Sequence, residues 1–206
     1  MSTRARVSVT YRACQAIGRA ATAEAGRIAQ DMREVFGNQS LLQAVSTLLP
    51  EVEVEGQTLR ASSPAGFRVV FSEEGDEYRA AVESQTDSVE SAAVLGAIRQ
   101  EYARLQIEQV AGQSGFTVAE ERRPDGTITI GLAKEDPSAA GERVTAELDA
   151  RGDVVVEAHG VKGRRCVELI RPFADAVGTV REAIRTREYY ETAQAGRARG
   201  RTRESS

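Results

Sequence analysis

The chain reads as an α+β protein, with antiparallel β-hairpins packed by helices and a small ββα domain at the C-terminal end. Three observations predict this class. Short runs alternate apolar and polar residues, as in Glu51–Glu55, Phe67–Phe71 and Ile128–Leu132, the period of a half-buried strand. Two longer stretches instead carry apolar residues at helical spacing. Val94, Leu95, Ile98, Tyr102 and Leu105 mark one; Cys166, Leu169, Ile170, Phe173, Ala174 and Val177 mark the other. Turn residues with a stated mechanism, above all Pro124-Asp125-Gly126, join strand to strand.

In order, Arg6–Arg12 predicts a short opening strand. Ile17, Ala21, Ile28, Met32, Val35 and Phe36 then predict a long helix, weakened by Gly18 and Gly26 and ended by Gly37 and Asn38. Cys14 within it reads as packing. A short helix begins at Ser40, with Leu41, Leu42, Val45, Leu48 and Leu49 apolar, and Pro50 stops it. Glu51–Glu55 and Thr58–Ala61 flank Gly56 as a strand and its return. Phe67, Val69 and Phe71 share one face of the next strand, and Tyr78–Val82 pairs back across Glu73–Asp76. The four acids Glu73, Glu74, Asp76 and Glu77 lack the residue order of a calcium loop and read as a solvated tip.

Asp87 and Glu90 have capping-box spacing, and the helix they open runs to about Gly112. Phe116 and Val118 then face the same side as Ile128, Ile130 and Leu132. Residues 135–142 read as a linker. Val144–Leu148 and Val154–Glu157 form a further hairpin about Ala150-Arg151-Gly152-Asp153. Its following helix contains Pro172, so it either begins near Ile170 or kinks. Gly178 ends it. The domains expected are 1–134, a linker at 135–142, a ββα domain at 143–190 and a disordered tail at 191–206.

Composition bounds the function. The 206 residues are 5% aromatic and include no Trp, which disfavours base-stacking schemes. No apolar leader or 18-residue apolar run is present, so a cytoplasmic protein without membrane contact is expected. One His and two dispersed Cys offer neither a disulfide framework nor zinc spacing, and no metal or cofactor is expected. The net charge of −4 hides a division: residues 37–159 carry 10 Lys/Arg against 22 Asp/Glu, while residues 160–206 carry 11 against 6.

The unusual chemistry gathers between Val154 and Leu169. This stretch holds His159, Gly160, Lys162, Gly163, Arg164, Arg165 and Cys166. Glycines before a helix start admit close backbone approach, and exposed N–H groups with cations make an anion site. Cys166 near a helix start, with His159 as base, would make a nucleophile. The same residues also describe a plain β-to-α connection whose cysteine packs as a small hydrophobe. The spacing fits neither a P-loop nor a dinucleotide fingerprint. In the tail, Arg197, Arg199, Arg201 and Arg203 alternate with small residues, a pattern for solvation or for salt-dependent nucleic-acid contact.

Two stretches resemble known families. Residues 99–134, through Gln100, Tyr102, Ala103, Gly115-Phe116 and Asp125-Gly126, resemble the end of the uncharacterised domain family numbered 1257, found in cyanobacteria and algal chloroplast genomes. Residues 144–190 resemble a second uncharacterised family, numbered 2997, through Gly160-Val161-Lys162-Gly163, Cys166, Leu169, Pro172, Gly178 and Glu188-Tyr189-Tyr190. Members tend to be encoded beside AAA-type ATPases. The resemblance therefore implies a bacterial, non-enzymatic adaptor or regulatory subunit for such a machine, acting through protein–protein interaction. The thiol or anion site at Cys166 and the Arg-rich tail supply the alternatives.

Overall fold

A computed structural model of the chain describes residues 3–9, 11–12, 36–64, 66–83, 89–134, 141–161 and 163–184. The expected first helix with Cys14, the capping residue Asp87, Glu188-Tyr189-Tyr190 and the Arg-rich tail lie outside them. The observed class is α+β, with antiparallel pairing wherever register is described. The chain divides into two compact units, Val9–Gln106 with Asp149–Asp153, and Met1–Ser8 with Ile107–Leu148 and Val154–Ser206.

The first unit is built on a five-stranded sheet in the order β2-β6-β5-β4-β3. Its strands are β2 (Tyr11–Arg12), β3 (Glu51–Glu55), β4 (Thr58–Ser62), β5 (Arg68–Glu74) and β6 (Glu77–Glu83). Alternation decides the faces: Leu59 and Ala61 of β4 pair with Phe71 and Val69 of β5, and all four are buried. Helix α1 (Gln39–Leu48) adds Leu41, Leu42, Ala44 and Val45 to this core. Its start differs from expectation. Asn38, expected at the end of a preceding helix, caps this one, its buried side-chain oxygen accepting from the Leu41 N–H at 2.9 Å. An Asn beside a Gly suits either helix end, and only the hydrogen bond decides between them. Phe36 and Tyr78 pack at 4.8 Å between ring centroids. The Tyr78 hydroxyl donates to Gln57 Oε1 at 2.6 Å, and the Gly37 N–H donates to the same oxygen at 3.1 Å. Burial, with the Glu73 carboxylate adding to it, pushes the phenol up to about 12.

Helix α2 (Val89–Gln113) buries Ile98 and Tyr102 in the same core. Gln100 donates to the Asp149 carbonyl at 3.0 Å, and Gly96 lies against the backbone of Ala150 and Arg151. Tyr102 and Ala103 are fully buried.

The second unit is a six-stranded sheet ordered β11-β1-β10-β9-β8-β7. It comprises β1 (Thr3–Val9), β7 (Phe116–Arg122), β8 (Ile128–Lys134), β9 (Arg143–Leu148), β10 (Val154–His159) and β11 (Gly178–Ile184). Both of its tight hairpins, β7–β8 and β9–β10, turn in the same way. The Arg123 N–H bonds the Thr127 carbonyl and the Asp149 N–H bonds the Asp153 carbonyl. Gly126 and Gly152 supply the left-handed residue, at φ 85° and 82°. In the first of these turns the Thr127 amide donates to Asp125, which holds that carboxyl below its ordinary value.

One face of this sheet carries the core. Ile128, Ile130 and Leu132 of β8, Val144, Ala146 and Leu148 of β9, Val154, Val156 and Ala158 of β10, and Ala5 and Val7 of β1 are all buried. Helix α3 (Arg164–Val177) covers β10 and β11 on that face with Cys166, Leu169, Ile170, Phe173, Ala174 and Val177. No helix of the described residues is long and apolar enough to cross a membrane.

Four expectations are corrected here. β8 pairs with β9 from Ile128↔Leu148 to Ala133↔Arg143, so the sheet runs on across the stretch expected to be a linker. Pro, Ser, Gly and acids carry no local signal that tells a connection within one sheet from a tether between domains. β1 pairs with β10 from Thr3↔Ala158 to Val7↔Val154, so the N-terminal strand joins the sheet of the expected ββα domain. The motif is extended by β11, which weak alternation in Gly178–Ile184 conceals. Finally, of the two alternatives that Pro172 offers, α3 does not begin near Ile170: it starts at Arg164. Pro172 lies on the exposed side of the helix, as does Glu168, whose carbonyl loses its N–H partner.

Candidate functional site

The β10–α3 connection brings the sequence-predicted residues into one loop but does not join them in one site. Cys166 is 1% exposed, and its thiol donates to the Val161 carbonyl at 3.1 Å. His159 ends β10 with its side chain opposite to that of the buried Ala158. Helix α3 covers the Ala158 face, so the imidazole projects to the far side of the sheet from the thiol. The hydrogen bond of the thiol thus goes to a backbone carbonyl.

Gly160 has φ 74°. A Cβ there would run into the carbonyl of Gly141, so this glycine serves a close approach between two backbone segments. Gly163, buried and at φ 61°, is the residue before α3 and contributes no side-chain cap. The Cys166 N–H turns back to its carbonyl at 3.2 Å. Arg164 and Arg165 are exposed in the first helical turn, which contains no acid. The Arg165 guanidinium approaches Glu142 at 3.4 Å. Cations at a helix N-terminus oppose the macrodipole, so this end of α3 concentrates positive potential. Lys162 lies outside the described residues, as do Arg197, Arg199, Arg201 and Arg203.

The acidic tip Glu73–Glu77 is exposed, and Glu74 bonds Arg79 at 2.9 Å. Among the described residues, no three His, Cys, Asp or Glu side chains gather where they would hold a metal.

A groove of about 190 Å³ opens between the start of β7 and α3, lined by Ser114, Phe116, Lys134, Arg165, Glu168, Leu169, Pro172 and Phe173. The Phe116 and Phe173 rings meet edge to face at 5.4 Å, and Lys134 Nζ stands 5.4 Å from the Phe116 centroid. In the sequence these residues are scattered between positions 114 and 173. The one local signal is Phe116, which alternation places on the same side as Ile128, Ile130 and Leu132.

A family model described as "Protein of unknown function (DUF2997)" matches residues 146–190. To that extent the chain is similar to the family, over the end of β9, β10, α3 and β11. No curated protein and no solved structure matches the chain.

Proposed function

We propose that the protein is a non-enzymatic adaptor or regulatory subunit that works with an AAA-type ATPase. The observation that carries this reading is the separation of Cys166 from His159. The thiol is enclosed and bonded to a carbonyl, while the imidazole lies across the sheet. The loop with the most reactive residue types is therefore organised by packing, which leaves surfaces as the source of function. The test is direct. The full chain is added to an AAA-type ATPase from the same organism, and co-elution and ATP turnover are measured. Co-elution with a change in turnover of twofold or more is expected; separate elution with unaltered turnover refutes the proposal.

A second reading is anion binding at the start of α3, favoured by Arg164 and Arg165 beside an N-terminus with no side-chain cap. Titration with inorganic phosphate, followed by amide shifts at Gly163–Cys166, tests it. Shifts no larger than those in an Arg164→Ala, Arg165→Ala double variant refute it.

A further inference from the structure

Of the aspartates in the chain, Asp125 alone is followed by a glycine. An aspartyl side chain can close a five-membered succinimide ring on the nitrogen of the next residue, and a glycine there leaves that nitrogen uncrowded. Asp125 and Gly126 are both exposed at the tip of the β7–β8 hairpin, within reach of water. Dipeptide and exposure together mark a modification site. The hydrogen bonds of the turn work against it.

Three features oppose ring closure. The Gly126 N–H, which must give up its proton to attack, donates to the Arg123 carbonyl at 3.0 Å. The Asp125 carboxylate accepts from the Thr127 N–H at 2.9 Å, and from the Thr127 hydroxyl as well. Both bonds favour the ionised carboxyl, whereas the departing oxygen leaves as water from the neutral one. The third feature is the backbone. Pro124, Asp125 and Gly126 make a three-residue loop with Gly126 left-handed at φ 85°, the pattern of a type I turn followed by a left-handed residue. The third residue of such a turn has ψ of roughly 0°, which turns the Gly126 nitrogen away from the Asp125 side chain. The β9–β10 turn holds Asp149 in a related way, with the Arg151 and Asp153 N–H groups each donating to it at 2.9 Å. Ala150 follows there, so that turn is an internal control.

We propose that Asp125-Gly126 is the chain's site of aspartyl isomerisation, and that the contacts from Thr127 hold it in the aspartyl form while the hairpin stays folded. When the turn opens, the Gly126 nitrogen forms a bond to Asp125 Cγ. The carboxyl OH leaves with the amide proton as water. Water then adds to the ring. Addition at Cγ restores aspartate; addition at the Asp125 main-chain carbonyl gives isoaspartate, with the chain running through Cγ. No electrons are transferred, and water is the one co-reactant. The product carries an extra methylene in the main chain of a turn closed by the Arg123–Thr127 bond.

The full chain is aged for several weeks at neutral pH, folded in buffer and unfolded in guanidinium chloride. Isoaspartate is counted with a protein isoaspartyl methyltransferase and a radiolabelled methyl donor, and placed by peptide mass spectrometry. Label is expected at Asp125, at least tenfold faster in the unfolded chain than in the folded one. Thr127→Val removes the hydroxyl and keeps the branched side chain. Folded, it is expected to isomerise about two- to threefold faster than the parent, with Thr127→Ser at the parent rate. Thr127→Ala serves if Thr127→Val does not fold. Equal rates in the folded and unfolded chain overturn the proposal, because the turn then protects nothing. Faster accumulation at another aspartate of the unfolded chain, Asp149 included, overturns it as well. So does a folded Thr127→Val or Thr127→Ala variant that isomerises no faster than the parent.

Discussion

Alkylation of Cys166 is the sharpest measure of whether the β10–α3 loop is built for packing or for reaction. The residue is 1% exposed, and its thiol is bonded to the Val161 carbonyl. Iodoacetamide reaches it only when the start of α3 opens. If opening costs about 4 kcal/mol, within the marginal stability of an ordinary domain, labelling slows roughly a thousandfold relative to an open thiol, at about 1.4 kcal/mol per factor of ten. The assay is mass-spectrometric labelling at pH 7 on a Cys14→Ser background, so that one thiol reports. Cys166→Ala should cost about 1.5–2.5 kcal/mol in urea unfolding. The buried sulfur accounts for about 0.8–1.6 of this, at roughly one to two methylenes, and the lost hydrogen bond for about 0.5–1. Labelling within tenfold of free cysteine, or Cys166→Ala as stable as the parent, would refute the packing argument.

Other perturbations probe the positions that the fold relies on. Asn38→Ala removes the cap of α1 and should lower stability by about 1 kcal/mol, with Asn38→Ser recovering most of it; equal stability of all three would deny the cap its role. Gly160→Ala combines positive φ with a Cβ against Gly141, so a loss of roughly 1–3 kcal/mol is expected in thermal or urea unfolding; an unchanged midpoint would mean that the loop is looser than described. Tyr78 keeps its proton to about pH 12 when folded and to about pH 10 when unfolded. Its stabilisation is therefore complete below pH 10 and declines toward pH 12, by on the order of 2 kcal/mol. Tyr78→Phe should flatten that decline, and an unchanged alkaline slope would place its cause elsewhere.

Most single elements were legible because their signals are local. The β5–β6, β7–β8 and β9–β10 hairpins follow from alternation and from turn residues a few positions apart, and α1 and the stripe of α2 follow from apolar spacing. Pairing between distant strands was not. β1 meets β10 across some 150 residues, and no short-range pattern in Arg4–Val9 names its partner. The groove was illegible for the same reason, since Phe116 and Phe173 are neighbours only after α3 folds onto the sheet.

By itself, the order of amino acids determined, for the described elements other than β11, which stretches are strands or helices and which side of each is apolar. Those properties depend on the stereochemistry of a few adjacent residues. Only the tertiary structure decided that β8 and β9 share one sheet, that β7 lies at its rim with Val118 exposed, and that His159 and Cys166 occupy opposite sides of it. Each of these depends on which remote surfaces cover one another. Periodicity marks the face that must be buried and leaves unspoken what buries it.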